Sequence, residues 1–287
     1  MRIANIAGRA ILLDTAGGGL DIEKASDGKF PADPQALLRQ WDELRDWAAS
    51  RGDRSDFAVS AADLGAPTPL PPQVFGVGLN YATHVAESKM GRPEAPAVFT
   101  KFPSCITGPN ATFELPSASV DWEVELVVAI GRRAHRAAEE SAWAHVAGLM
   151  VGQDLSERVV QLAGPVPQFS LGKSFAGFGP VGPALVTADE LPDPDDLELG
   201  CRLGDEVLQL GRTRDLIFSV AELVARLSAI CPLLPGDIIF TGTPSGVGNA
   251  RDPKRFLPPG GVLTSHIEGL GELRNEFVAG PGYEPAQ

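Results

Sequence analysis

The sequence predicts an α+β fold, mostly β, in which a small N-terminal domain precedes a larger domain built on a mixed, mostly antiparallel sheet. Three observations point there. The 287 residues include 32 Gly and 25 Pro, a composition of many turns between short elements. Short strand candidates dominate the chain beyond residue 73. Between the two parts runs Ala66-Pro67-Thr68-Pro69-Leu70-Pro71-Pro72, an extended proline-rich connector. The expected division is a small N-terminal domain over 1–68, a linker over 69–73 and a larger domain over 74–287.

In chain order, Arg2 to Asp14 alternates loosely and reaches Gly17-Gly18-Gly19, which predicts a hairpin. A helix follows, with Asp33 as N-cap, Pro34 in the first turn, Leu37, Trp41, Leu44 and Ala48 on one face and Gly52 closing it. Past the connector, strands are predicted over Pro96–Lys101, Asp121–Ile130, Ala184–Val186, Leu197–Leu203, Asp237–Thr241 and Gly261–Glu268. Two helices interrupt them. One covers roughly Glu139–Met150. The other opens on Ser219 and Glu222 as a capping box and carries Val220, Leu223, Val224, Leu227 and Ile230 on its apolar face.

Charge and cysteine content narrow the function. A net charge of −13 repels a duplex backbone, so no nucleic-acid partner is expected, and an anionic substrate would need a locally positive site such as a bound metal ion. The three cysteines, Cys105, Cys201 and Cys231, are far apart and form no CxxC pair, which speaks against a disulfide framework or a thiolate zinc site. No apolar stretch approaches the roughly 20 residues needed to cross a bilayer. The N-terminal apolar run, Ala10–Leu13, is bracketed by Arg9 and Asp14 and does not read as a signal peptide. A soluble cytoplasmic protein without a membrane partner is the expectation.

The segment Val120–Ile130 is the most informative. Period two places Glu123 and Glu125 on one strand face, with Cα atoms roughly 6–7 Å apart. Isolated strand glutamates usually face water. Here Val127 and Ala129 continue the same face as apolar residues, so the face turns inward, where two like charges are costly without a cation. A third carboxylate, Asp154, lies in Val151-Gly152-Gln153-Asp154-Leu155-Ser156. Its ordinary role would be a helix N-cap; its functional role would complete an all-oxygen cage for a hard ion such as Mg²⁺, Mn²⁺ or Ca²⁺.

Three further stretches carry chemistry. If Asn80–Glu87 is helical, His84 and Glu87 share a face, and a carboxylate beside an imidazole orients it as a general base; an exposed helical pair is the plain alternative. Lys173 sits in Ser170-Leu171-Gly172-Lys173-Ser174-Phe175, either a surface lysine or a cation for a substrate carboxylate or a developing enolate. Asp237–Gly248 is a strand running into a glycine-rich loop that offers backbone N–H groups and the Thr243 hydroxyl to an anion, without the signature of a P-loop.

Taken together these blocks resemble the fumarylacetoacetate hydrolase family. In order come N-Y-x-x-H-x-x-E, D-x-E-x-E, Q-D-x-S-x-R, G-K-S-F, T-G-T-P-x-G-V-G and the closing Ile267-Glu268-Gly269-Leu270-Gly271, over about residues 70 to 280. The nearest branch is the short one of acylpyruvate hydrolases, oxaloacetate decarboxylases and 2-hydroxyhepta-2,4-diene-1,7-dioate isomerases. The resemblance implies a mixed β-roll catalytic domain and a homodimer. It makes Glu123, Glu125 and Asp154 ligands to one Mg²⁺ or Mn²⁺ per subunit, His84 and Glu87 a catalytic dyad, and Lys173 the active-site lysine. Arg158, Gln161 and Thr243 match substrate-contacting positions. The implied activity is hydrolysis of the C–C bond of an acylpyruvate through a metal-stabilised pyruvate enolate. Oxaloacetate decarboxylation or 2-oxo-acid isomerisation or hydration on the same site are alternatives, as is a non-catalytic metal- or 2-oxo-acid-binding homologue. Two departures matter. Val77 stands where the longer branch has a further carboxylate ligand, which speaks against cleavage of fumarylacetoacetate itself. Ala176 follows the K-S-F triplet where relatives often carry Asp, which leaves the substrate open.

Overall fold

The computed structural model describes residues 1–52, 54–88 and 91–284. The mostly β expectation holds, and the central object is a large mixed sheet. Its middle order is Gly179–Val186, Val146–Gln153, Val124–Ile130, Ile238–Phe240, Val74–Gly78 and Ala97–Thr100. A second sheet orders Glu206–Arg212, Glu198–Leu203, Val262–Ile267, Gly271–Ala279 and Asn110–Leu115. Every residue of Val124–Ile130 is buried. Val124, Leu126, Val128 and Ile130 pack into one core, and Val127 and Ala129 into another that also holds Ile3, Phe30, Leu38 and Trp41. The face bearing Glu125 is therefore inward, as the Val127 and Ala129 pattern implies.

The N-terminal segment is a three-stranded meander, Arg2–Ile6, Arg9–Leu13 and Gly18–Asp21, with its first turn at Ala7-Gly8 rather than at Gly17–Gly19. Arg2–Ile6 pairs with Gly179–Val186, so the main sheet runs through residues on both sides of the proline-rich connector. Asp33 caps as expected, accepting from the Gln35 N–H at 2.9 Å, but the helix tightens to 3₁₀ geometry over Leu38–Gln40 before resuming at Trp41–Ala49.

The helix expected over Glu139–Met150 is corrected. Glu139–His145 is a 3₁₀ turn, and Val146–Gln153 is a fully buried strand paired on both edges. Two glycines fit it there: a Cβ on Gly148 would lie 2.5 Å from the Val186 carbonyl oxygen, and one on Gly152 2.3 Å from a Val127 methyl. Burial between two strands overrides local helix propensity. The helix Val220–Ile230 forms with Ser219 accepting from the Glu222 N–H at 3.2 Å, yet Ile230 leaves the apolar face and is 87% exposed at the last turn.

The predicted strand Asp121–Ile130 is interrupted. Val120–Asp121 pairs with Ser156–Glu157, Val124–Ile130 pairs with Val146–Gln153, and one antiparallel register runs through both ladders. Glu123 therefore stands opposite Asp154 in the gap, joined by the bond from the Asp154 N–H to the Glu123 carbonyl at 2.9 Å.

Candidate active site and metal centre

The gap in the ladder builds the centre. With the ladder interrupted, side chains replace backbone partners: the Glu123 N–H donates to Gln153 Oε1 at 2.8 Å and the Val124 N–H to Gln209 Oε1 at 3.0 Å. Gln153 and Gln209 are themselves buried and tied to Ser265 and to Thr243. Glu123, Glu125 and Asp154 are all buried, and each brings a carboxylate oxygen to within 4.8 Å of the other two. Asp154 caps no helix; Glu157 caps the single turn Arg158–Gln161, accepting from the Val160 N–H at 2.6 Å.

Cations thread this cluster. Lys173 Nζ bridges Glu123 Oε2 at 2.7 Å and Asp154 Oδ2 at 2.5 Å, and donates its third hydrogen bond to Ser156 at 2.8 Å. Arg158 donates to Glu123 Oε1 at 2.7 Å and to Gln161 Oε1 at 2.8 Å. Lys101, wholly buried, holds the other oxygen of Asp154 at 2.7 Å and also donates to the carbonyls of Lys173 and Phe178. Among the described residues, Lys101, Arg158 and Lys173 are three buried cations facing the four buried carboxylates of Asp121, Glu123, Glu125 and Asp154.

The remaining imbalance falls on Glu125. Burial, with the charges of Asp154 and Glu123, raises its pKa well above the usual carboxylate range, and the Gly242 N–H at 2.8 Å offsets this only in part. Burial would raise Glu123 as well, but Lys173 and Arg158 outweigh it and hold the group far below the usual range. Burial works against charge on Lys173, and Asp154 and Glu123 reverse that, keeping it charged. An all-oxygen, buried, electron-rich donor set that has taken up ammonium groups and still leaves one carboxylate uncompensated fits a hard divalent cation.

Opposite this cluster stands the His84–Glu87 pair on the helix Ala82–Ser88. His84 Nδ1 and Glu87 Oε1 are 2.7 Å apart, and Glu87 Oε2 accepts from the Gly246 N–H at 2.8 Å. Gly246 has φ of +107°, and a Cβ there would meet the Leu208 carbonyl at 2.3 Å, so the loop can make this approach only with glycine. Asn80 positions the helix, bonding the Phe218 carbonyl at 3.0 Å, the Phe218 N–H at 2.8 Å and the Thr241 carbonyl at 2.7 Å.

His84, Glu87, Glu123, Glu125, Arg158, Gln161, Lys173 and Thr243 all line one cavity of about 540 Å³, walled on its apolar side by Leu79, Phe99, Leu162 and Phe169. Asp154 lies behind it, bonded to Lys173. All nine residues singled out in the sequence thus gather in one place. Thr243 differs in one respect from a free donor: its hydroxyl gives its hydrogen to the Val124 carbonyl at 2.9 Å. While that bond holds, it can only accept from a ligand. A larger cleft of about 780 Å³ lies beside the N-terminal segment, away from this cluster, and its charges are paired among themselves, Arg132 with Asp42 at 2.6 Å and Arg45 with Asp189 at 3.8 Å.

Sequence reasoning missed Lys101, which ends a predicted strand and reads as an exposed lysine. Only its long-range partners reveal it. Gln153 and Asp121 stood inside the quoted motifs without a role, and nothing local marked Gln209.

Residues 73–278 match the family model described as Fumarylacetoacetate (FAA) hydrolase C-terminal. The human protein Oxaloacetate tautomerase FAHD2A, mitochondrial, is 38% identical over 283 residues, covering 96% of this chain and 90% of its own. A crystal structure of a candidate HpcE protein from Mycobacterium smegmatis superposes with a TM-score of 0.92 at 54% identity, covering 98% of this chain and 100% of its own. Maleylpyruvate hydrolase from Sphingobium sp. SYK-6, solved with manganese(II) and pyruvate, superposes with a TM-score of 0.78 at 29% identity, covering 98% and 100%. No helix among the described residues is long and apolar enough to cross a membrane. With the matched region spanning most of the chain and the carboxylate cluster inside it, the chain belongs to the fumarylacetoacetate hydrolase family, whose members include hydrolases, tautomerases and isomerases.

Proposed function

We propose that the protein is a divalent-metal-dependent enzyme that moves a proton at carbon 3 of a small 2-oxo acid of the oxaloacetate type, interconverting its keto and enol forms. The observation that carries this reading is a His–Glu pair, fixed at 2.7 Å and anchored to a glycine loop, lining the same cavity as a buried three-carboxylate cluster. The human relative of nearly full length supports it by name.

Glu123, Glu125 and Asp154 would hold the ion, Mg²⁺ or Mn²⁺, which when bound supplies a Lewis acid that stabilises negative charge on the 2-oxo oxygen. The chain's own residues do the rest. Glu87 on Nδ1 fixes the imidazole tautomer, which leaves His84 Nε2 to take the proton from carbon 3, a contribution of about 10²–10⁴-fold. The C–H electron pair becomes the C2–C3 double bond, the carbonyl π pair moves to the 2-oxo oxygen, and His84 passes the proton to that oxygen to give the enol; the same steps reversed give the keto form. Lys173 keeps its charge and sets a positive field where the substrate's own charge develops. Phe99, Leu162 and Phe169 give that end of the cavity an apolar wall.

Hydrolysis of an acylpyruvate is the second reading, favoured by the likeness to maleylpyruvate hydrolase. It uses the same His84 against water in place of a C–H bond. Proton transfer is placed ahead because it needs one base and no ordered water, whereas the resemblance by itself puts hydrolysis first. A homodimer in the cytoplasm remains part of the proposal.

The test follows decay of enol-oxaloacetate by its ultraviolet absorbance and pyruvate release from simple acylpyruvates, with and without chelator. Enol–keto exchange faster than pyruvate release supports the first reading; the reverse ranking establishes hydrolysis. Activity that survives both chelation and Glu123→Ala removes the metal from the mechanism. Full turnover by His84→Ala, with Mn²⁺ still bound by paramagnetic resonance, removes His84 as the base.

A further inference from the structure

Asp121 is the first residue of the D-x-E-x-E block, is wholly buried, and does not line the cavity. Five donors converge on its two oxygens. Oδ1 accepts from the N–H groups of Trp122 at 2.8 Å and Gly248 at 2.7 Å. Oδ2 accepts from Arg158 Nε at 2.9 Å, Arg158 Nη2 at 2.6 Å and the Asn249 N–H at 2.9 Å. Gly248 is held so closely that a Cβ on it would lie 1.8 Å from the Arg255 carbonyl and 2.8 Å from Asp121 itself. A buried carboxylate with this many donors is one of the most rigid points a protein can build.

We propose that Asp121 is a positioning residue that acts through Arg158: it fixes the guanidinium plane and the end of the glycine-rich loop, so that Arg158 meets the substrate in one orientation. Two of the four Arg158 side-chain bonds, those from Nε and Nη2, go to Asp121, and without them the guanidinium would be held by Glu123 and Gln161 alone. The inference rests on the reading that Arg158 contacts the 2-oxo acid. Replacement by asparagine keeps the size but turns an amide donor toward either the guanidinium or the loop N–H groups, so that one of these must move.

The experiment measures KM and kcat for oxaloacetate, together with oxalate affinity by calorimetry, in Asp121→Asn, Arg158→Gln and the double variant, with Arg158→Lys as a companion that keeps charge but loses the planar fork. Expected are a rise in KM and in oxalate Kd of about 10–100-fold in Asp121→Asn with kcat changed by less than about threefold, the range seen when a supporting partner of a binding group is lost. The double variant should be no worse than Arg158→Gln alone. An equal further loss in the double variant, or an unchanged KM in Asp121→Asn while Arg158→Gln raises it, overturns the proposal. If Asp121→Asn does not fold, wild-type oxalate affinity in Arg158→Lys overturns it by showing that orientation is not needed, and a 10-fold or greater loss there supports it. Arg158→Gln with unchanged KM instead sinks the reading of Arg158 as a substrate contact, and the proposal with it.

Discussion

Replacing Lys101 by methionine removes a fully buried ammonium and leaves its shape nearly filled. Its bond to Asp154 at 2.7 Å is lost, together with those to the carbonyls of Lys173 and Phe178. Both ends of the ion pair have no exposed side-chain surface, so water cannot take over the vacated role. Removing one partner of such a pair costs about 3–5 kcal/mol, because the Asp154 oxygen that faced Lys101 stays buried without its cation while Lys173 reaches only the other oxygen. At roughly 2 °C per kcal/mol for a chain of this length, the melting temperature should fall by about 6–10 °C. Differential scanning fluorimetry with chelator reads this directly. Adding Mn²⁺ should recover part of the loss, since a divalent ion on Glu123, Glu125 and Asp154 restores the missing positive charge. A shift under about 2 °C, or equal losses with and without Mn²⁺, would refute the charge accounting of the cluster.

Other substitutions probe the frame around it. Gly246→Ala places a Cβ 2.3 Å from the Leu208 carbonyl at a φ of +107°, so the loop must move away from Glu87. Turnover should drop by about tenfold or more, with circular dichroism unchanged; wild-type kcat would show that the Gly246 N–H does not set the dyad. Asn80→Ala strips the partners of the Phe218 N–H and of the Phe218 and Thr241 carbonyls, at about 1–3 kcal/mol for each buried group left unpaired, and denaturant titration should report a total of several kcal/mol. Arg9 holds the Asp21 carboxyl below its ordinary range, and a depressed carboxylate stabilises the fold above that range and stops doing so as pH falls through its folded value. The melting-temperature gap between the wild type and Asp21→Asn should therefore be open at neutral pH and close in acid; a gap of constant size contradicts the pairing.

Much of this architecture was legible in the sequence because its signals are local. Ser219 with Glu222 marks a helix start wherever it occurs, and the alternation of Glu125, Val127 and Ala129 marks an inward face on its own. The failures arise where distant strands decide. Val146–Met150 reads as the end of an alanine-rich helix until strands on both sides bury it. Ile230 belongs to the apolar stripe by spacing, but it is 87% exposed, and none of the described residues buries it at the helix end. In the centre itself, the acids and His84 were legible as a motif, while Lys101 and Gln209 were not. Their contacts span 53 and 85 residues, to Asp154 and Val124, and no spacing rule reaches that far.

The interruption at Trp122-Glu123 has a bearing on how this scaffold diversifies. Glu123 and Asp154 are opposite members of one antiparallel register, so a single inserted residue in either segment would slide one acid past the other and dissolve the cage. The walls that meet the rest of the substrate are not bound by that constraint. Phe99 lies on the edge strand Ala97–Thr100, and Leu162 and Phe169 flank an exposed stretch between two one-turn helices. Those parts can lengthen, shorten or exchange side chains while the acidic centre stays in step. Relatives built on this plan are free to differ in the acids they accept while sharing one means of taming negative charge.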